Sequence, residues 1–127
     1  AALVEPIGPE HTDEEIVDAV FCLKDFNISL CGAMARVPVN GTPLSNIGKI
    51  SEKRMVRIIS MIRLILGSEV EAICVHPPSI SALRAGANTV VVEYGIIPRD
   101  NMILECQWHN FDIPSARSLL REAGYNT

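Results

Sequence analysis

The stretch that decides the fold is residues 51–78, SEKRMVRIISMIRLILGSEVEAICVHPP. Its first part predicts an amphipathic helix that begins after the N-cap Ser51 and ends at Gly67, because apolar side chains recur every three or four residues. These apolar residues are Met55, Ile58, Ile59, Ile62, Ile65 and Leu66. Residues 70–75 form a short, continuous apolar run that ends at His76-Pro77-Pro78 and is typical of a buried parallel strand.

The same alternation of strand and helix extends outward in both directions. The predicted strands are residues 3–7, 28–37, 70–75 and 88–94, and the predicted helices begin after Thr12, Ser51, Ser79 and Asp112. Thr12 with Glu15 forms a capping box, and Gly124 ends the last helix. Four strand–helix units predict an α/β fold with a parallel sheet and right-handed crossovers, in one domain over residues 1–127.

Two parallel architectures fit four such units. A complete eightfold barrel needs about 250 residues, so this chain of 127 residues corresponds to half of a TIM-type barrel. A small open, doubly wound sheet is the other possibility, but its first turn normally carries a glycine-rich phosphate loop. The turn here is Gly8-Pro-Glu-His11, which lacks that glycine pattern. The chain also opens Ala1-Ala-Leu-Val4 without a methionine, so we interpret it as a piece of a longer protein.

Composition excludes several classes of protein. The apolar share is 48% and the charged share is 20%, with a net charge of −4, which excludes a disordered tail, a collagen-like fibre and a disulfide miniprotein. The absence of a basic stripe argues against nucleic acid as a partner, and no apolar stretch reaches the roughly 18 residues that span a membrane. We therefore expect a cytoplasmic protein.

The cysteines do not predict a metal site. Cys22, Cys31, Cys74 and Cys106 lack the short spacing of zinc or iron–sulfur ligands, so we expect structural, reduced thiols and no metal bound by this chain alone.

The loops at the carboxyl ends of the strands are the predicted site, because ligands of parallel α/β proteins gather there. Glu5 and Glu93 interrupt or end apolar strands, and Arg36 follows one. These charges form either a ligand cleft, with Arg36 as the counter-charge, or a solvent-exposed rim. His76 is either an acid, base or ligand, or a loop histidine bonded to backbone.

Four further side chains have simpler interpretations. His11 either caps its helix or contacts a ribose. Arg54, Arg57 and Arg63 are predicted to form a solvated helix face.

Several motifs resemble one family. VPVNGTPL, residues 37–44, with SMIR, residues 60–63, resembles the sixth strand–helix unit of biotin synthase. LRAGANTV, residues 83–90, and Tyr94-Gly95 resemble the end of that barrel, and SLLREAGY, residues 118–125, is similar to its final helix. In order and spacing these segments resemble the region that completes radical S-adenosylmethionine (SAM) barrels.

The resemblance implies cofactor biosynthesis with SAM and a 4Fe–4S cluster. The cluster's cysteine loop belongs to the first half of such a barrel, so the cluster ligands would lie outside this chain, which would supply walls for the cofactor and the substrate. The partner would be the missing N-terminal half-barrel. A stand-alone half-barrel that self-associates with a second copy, or binds a small ligand without catalysis, is the alternative.

The resemblance also implies roles for individual residues. Ile7, Gly8 and Glu10 or His11 resemble the fifth-strand motif that meets the adenosyl group. The backbone at Arg36, Val37 and Pro38 resembles the sixth-strand edge that adenine contacts. Glu5, His76, Glu93 and Tyr94 would face the substrate.

One difference from biotin synthase narrows the range of relatives that this chain resembles. Biotin synthase carries an arginine in its seventh strand that ligates a second cluster, whereas this strand reads Ala72-Ile-Cys-Val75. The departure favours relatives without that cluster, and EPIGPEHT, residues 5–12, looks most like the archaeal group linked to the iron–guanylylpyridinol cofactor. The substrate itself is not predicted.

Overall fold

The computed structural model describes residues 4–92 and 111–127. Its strands are β1 (Val4–Ile7), β2 (Leu30–Ala35) and β3 (Ala72–His76). Its helices are α1 (Asp13–Lys24), α2 (Glu52–Leu66), α3 (Ile80–Arg84) and α4 (Ile113–Ala123), with a 3-10 turn at Ser45–Ile47. The α/β prediction is confirmed, because strands alternate with helices along the described chain.

The three strands form one parallel sheet in the order β1-β2-β3. Strand β2 pairs with β3 in continuous register from Leu30 opposite Ala72 to Met34 opposite His76. The pairing of β1 with β2 is irregular between Val4 and Ile7. Barrels have this sequential order, whereas doubly wound sheets reverse their strand order at a switch point.

The predicted fourth strand is not confirmed. Within its described part, residues 88–92, there is one β-bridge, the parallel one between Thr89 and Cys74, and the backbone N–H groups of Asn88 and Thr89 both donate to the Ile73 carbonyl. Residues 93 and 94 of that prediction lie outside the described residues.

The hydrophobic core lies between the sheet and the helices. Alternate residues of β2 and β3 point to the same face, and Cys31, Ala33, Ile73 and Val75 are buried there. The apolar stripes of α1 and α2 cover this face, with Ile16, Val20, Met55, Ile58, Ile59, Ile62 and Leu66 in one buried cluster. The helical spacing predicted from the sequence is therefore confirmed, and the cluster fixes α1 and α2 against the sheet.

The predicted helix caps are also confirmed. The Thr12 hydroxyl accepts from the backbone N–H of Glu15 at 3.1 Å, and the Thr12 N–H donates to the Glu15 carboxylate at 2.7 Å. Ser51 and Asp112 cap α2 and α4 through their side chains, which accept from the backbone N–H groups of Arg54 at 3.3 Å and Ser115 at 2.9 Å. These caps set where the helices after the strand-end loops begin.

Two polar side chains hold the later part of the chain in place, Asn88 by bonds to Glu71 and to Ile73 of β3 and Tyr125 by bonds to α3 and the loop after it. Asn88 accepts from the backbone N–H of Ile73 at 2.7 Å and donates to the Glu71 carbonyl at 2.8 Å. The Tyr125 hydroxyl lies 2.7 Å from the Ala87 carbonyl and 3.1 Å from that of Leu83. We call Asn88 and Tyr125 the terminal cluster.

Among residues 4–92 and 111–127, no helix is both long and apolar enough to cross a membrane.

Candidate functional site

The carboxyl ends of the three strands place the predicted loops along one edge of the sheet. Strands β1, β2 and β3 end at Ile7, Ala35 and His76, and because they are parallel their ends lie on the same side. The backbone N–H of Arg36 donates to the Ile7 carbonyl at 2.8 Å, which holds the loops after β1 and β2 together.

An ion pair joins these two loops. Arg36 Nη2 donates to Glu10 Oε2 at 2.9 Å, and Nη1 bonds to Oε1, so the guanidinium contacts both carboxylate oxygens. The hydrogen bonds from Arg36, assisted by the backbone N–H of Glu10, lower the pKa of the Glu10 carboxyl to about 2. The same pair raises the pKa of Arg36. This bidentate pair keeps Glu10 charged at neutral pH.

Gly8 lies against this ion pair. A Cβ atom at position 8 would collide with the Glu10 carboxylate and the Arg36 guanidinium, so the pair can occupy this position only because residue 8 is glycine. The Gly8 N–H donates to His11 Nδ1 at 3.0 Å, and the His11 N–H donates to the Gly8 carbonyl at 3.3 Å. Residues 8–11 therefore form a closed turn.

A buried donor at this edge has no acceptor within residues 4–92 and 111–127. Arg36 Nε is buried without a hydrogen-bond partner, although the side chain as a whole is 11% exposed. Val37 is half-buried, and its backbone N–H makes no backbone hydrogen bond to another described residue. An unpaired buried donor costs about 1–3 kcal/mol, so an acceptor on a ligand would be stabilised here.

A cleft of about 370 Å³ opens at the same edge, beyond the ends of β2 and β3. Its lining is mostly apolar, with Ala35, Ile50, Met55, Pro77 and Pro78, and its polar part is Glu52 with Ser79. Ser79 Oγ donates to Glu52 Oε1 at 2.6 Å. This space suits the apolar part of a small ligand.

The structure brings together four of the predicted site residues, Gly8, Glu10, His11 and Arg36. Ile7 lies in the core at 2% exposure, and it contributes its carbonyl rather than its side chain. Val37 and Pro38 continue from Arg36 and are half-buried, and His76 ends β3 beside Met34.

Arg36 pairs with Glu10, and its expected role as the counter-charge of Glu5 and Glu93 stays a prediction. Glu5 lies on β1, but its side chain is outside the described part of the structure, and Glu93 and Tyr94 are outside it altogether. His11 closes a turn, and the helix cap is Thr12.

The prediction of a solvated face for three arginines is wrong for two of them. Arg63 donates from Nε to the Gly86 carbonyl at 2.9 Å, and Arg54 bonds to the loop between β1 and α1. A cation in the first turn of a helix is disfavoured by the helix dipole, so the position of Arg54 was a signal that sequence reasoning missed.

The described residues contain no group of three His, Cys, Asp or Glu side chains that could hold a metal ion. Cys22 and Cys31 are free thiols, and burial raises the pKa of Cys31.

Comparisons with known proteins find partial similarity to biotin synthases. The chain is 28% identical to biotin synthase from Chlorobium phaeovibrioides over 88 residues, which is 69% of this chain and 24% of the relative. It is 33% identical to the Saccharopolyspora erythraea enzyme over 58 residues, or 46% of this chain and 16% of the relative. It is 30% identical to the Kocuria rhizophila enzyme over 59 residues, or 46% and 13%.

No family model matches the chain, and no solved structure matches it. The matched segments span between 13% and 24% of the length of these curated relatives. Part of this α/β chain is therefore similar to a small part of biotin synthases.

Proposed function

We propose that this chain is the C-terminal portion of a radical SAM enzyme of the biotin-synthase type, acting in cofactor biosynthesis. The chain contributes walls for SAM and the substrate to a barrel whose 4Fe–4S loop lies outside it. The observation that carries the proposal is the Glu10–Arg36 pair at Gly8, with the buried Arg36 Nε left unpaired among the described residues. The partial similarity to biotin synthases supports it.

In this proposal, residues 1–127 form one half-barrel domain. The sequential order β1-β2-β3 supports it, and the face of the sheet opposite α1 and α2 would line the barrel interior. Gly32 lies on that face opposite Cys74, and a side chain at position 32 would collide with Cys74. The missing N-terminal half is the partner, and the strand-end edge is the part of this half that reaches the pocket.

The residues at the edge fit SAM, which carries a carboxylate and an adenine ring with several hydrogen-bond acceptors. Arg36 Nε and the Val37 N–H are donors for such acceptors, while Ile7, Gly8 and Pro38 would form the adjoining wall. Glu10 holds the Arg36 guanidinium in place, and His11 holds the Gly8 turn. The chemistry that SAM and the cluster supply when bound is reductive cleavage to a 5′-deoxyadenosyl radical.

The substrate contacts are assigned to Glu5, His76, Glu93 and Tyr94. Of these, His76 lies at the carboxyl end of β3, next to Pro77 of the cleft. The missing arginine in Ala72–His76 supports a subfamily without a second cluster, and residues 5–12 support the archaeal group linked to the iron–guanylylpyridinol cofactor. In this proposal the protein is cytoplasmic and binds neither nucleic acid nor membrane.

The test uses the full-length protein, reconstituted anaerobically with iron and sulfide. We expect a reducible 4Fe–4S signal and release of 5′-deoxyadenosine after reduction with dithionite. R36Q should lower that release at least about tenfold, since a group that binds the cofactor is lost. R57Q is the control, because Arg57 is 71% exposed and its ion-pair contact is with Asp13 rather than with Gly8, Glu10 or Arg36. If the protein carries the 4Fe–4S cluster but releases no 5′-deoxyadenosine, the proposal is wrong.

A second candidate follows from the edge position of β1. In the described sheet β1 pairs only with β2, and an unpaired strand edge favours association with another strand. A half-barrel closed by a second copy, binding a small ligand without catalysis, would use this edge. Sedimentation of the full-length protein distinguishes the two, because a monomer contradicts closure by a second copy.

A further inference from the structure

Arg54 reaches from the first turn of α2 to the loop between β1 and α1. Its Nη1 donates to the Pro9 carbonyl at 3.1 Å, and its Nη2 donates to Asp13 Oδ1 at 3.1 Å and also bonds to the His11 carbonyl. One guanidinium therefore binds two backbone carbonyls and one carboxylate across more than 40 positions of sequence.

The two carbonyls stand on either side of Glu10. The Pro9 carbonyl belongs to the peptide group that precedes Glu10, and the His11 carbonyl belongs to the peptide group that follows His11. Binding both carbonyls holds the backbone before and after Glu10, and therefore limits the direction in which its side chain leaves the backbone. From the opposite side, Arg36 binds the Glu10 carboxylate itself. Glu10 is thus held by one arginine through its backbone neighbours and by another through its side chain.

The location of Arg54 indicates that these contacts determine its role. It is the third residue of α2, where the helix dipole disfavours a cation and where a capping box would carry Glu or Gln. The Arg54 side chain is 25% exposed, whereas Arg57, one turn later, is 71% exposed and has only a 3.5 Å contact with Asp13. At this position the Arg54 charge interacts unfavourably with the helix dipole, but its guanidinium gains hydrogen bonds to the loop between β1 and α1.

We propose that Arg54 is a positioning residue that sets the geometry of the Glu10–Arg36 pair at Gly8, acting through the carbonyls of Pro9 and His11. Its effect on cofactor binding rests on the proposed function, whereas its effect on the ion pair does not. A methionine at this position keeps the packing of the side-chain stem but removes every donor. A lysine keeps the charge but cannot reproduce the planar, branched contacts of the guanidinium.

The experiment compares R54M, R54K and R57M in the full-length protein. The first readout is the pH titration of the Glu10 carboxyl by ¹³C NMR, with the signal assigned from its loss in E10Q. The charged and titratable groups that interact with this carboxyl are Arg36, His11 and Glu15. We expect R54M to raise the Glu10 pKa from about 2 toward the ordinary range of a glutamate, R54K to raise it less, and R57M to leave it unchanged.

The second readout is the equilibrium dissociation constant for SAM. We expect R54M to raise it about tenfold, a free-energy change typical of one lost charge-assisted contact network, and R57M to change it less than about twofold. Because Arg54 acts through Glu10, R54M should add almost nothing in an E10Q background.

The inference is overturned if the Glu10 pKa is the same in R54M and R57M. It is also overturned if R54M weakens SAM binding as much in the E10Q background as it does in the wild-type background. If R54M does not fold, R54K is compared with R57M instead. If the wild-type protein binds no SAM, the proposed function fails, and the NMR titration still tests the role of Arg54.

Discussion

The carboxyl edge of the sheet and the terminal cluster both hold segments of the chain together, but with different chemistry. At the edge, Glu10, Arg36 and Arg54 use charges, and Arg36 Nε stays buried without a partner in the described structure. In the terminal cluster, Asn88 and Tyr125 use neutral groups that bind backbone atoms at 2.7–2.8 Å. The edge therefore keeps a hydrogen-bond donor, Arg36 Nε, without an acceptor among the described residues. Asn88, by contrast, uses both its carbonyl and its amide group to bind the backbone.

In the proposed function, this difference separates the candidate ligand site from a structural contact. A group whose hydrogen bonds are all made within the protein stabilises the fold and offers little to a ligand. A buried donor without an acceptor lowers stability, and it is retained where something outside the described chain supplies the acceptor. The comparison therefore predicts stability effects in the terminal cluster and binding effects at the edge.

The largest stability effect is expected for N88A. The substitution removes three hydrogen bonds, two to the backbone and one to the Thr89 hydroxyl, and leaves the N–H of the fully buried Ile73 without its acceptor, so the free energy of unfolding should fall by about 2 kcal/mol. Urea denaturation of the full-length protein measures it. N46A is the matched control, because Asn46 is exposed in the 3-10 turn. If N88A keeps its stability but loses SAM affinity, the assignment of a purely structural role to Asn88 is wrong.

A smaller effect is expected from pH at the edge. Because the folded state lowers the Glu10 pKa from 4.5 to about 2, the ionised pair stabilises the protein above pH 4.5 and loses this contribution as the pH falls toward 2. The difference in stability between wild type and E10Q should therefore shrink over that range. Denaturation curves between pH 6 and 2 measure it. In an R36Q background, adding E10Q should produce almost no pH-dependent difference, and a persistent one would show that Arg36 is not the cause.

Much of the fold follows from local sequence. The caps at Thr12, Ser51 and Asp112 involve residues three positions apart, so the pattern contains both partners. The buried stripe of α2 follows equally from helical spacing. Strand ends were predicted less well, since β2 spans Leu30–Ala35 rather than residues 28–37, and pairing with neighbours decides where a strand ends. The fourth strand depends on such pairing too, and its described part contributes one bridge.

The location of the site was predictable, but its contacts were not. The loops that follow parallel strands lie at one edge of the sheet, and this rule predicts that Gly8, Glu10, His11 and Arg36 lie close together. The choice of Glu10 as the partner of Arg36 depends on the closed turn at Gly8 and His11, which periodicity does not encode. Arg54 was assigned to a solvated face because its partners lie more than 40 positions away, on a loop that only the packing of α1 against α2 brings within reach.

The most direct test of the central claim is amide hydrogen exchange of the full-length protein with and without SAM. The account predicts slower exchange on SAM addition in peptides covering residues 7–12 and 36–42, which contain the edge. It predicts no change in peptides covering residues 70–74 and 86–90, which contain the backbone partners of Asn88. Protection confined to the second group, or absent from both when SAM is shown to bind, would contradict the assignment of the carboxyl edge as the ligand site.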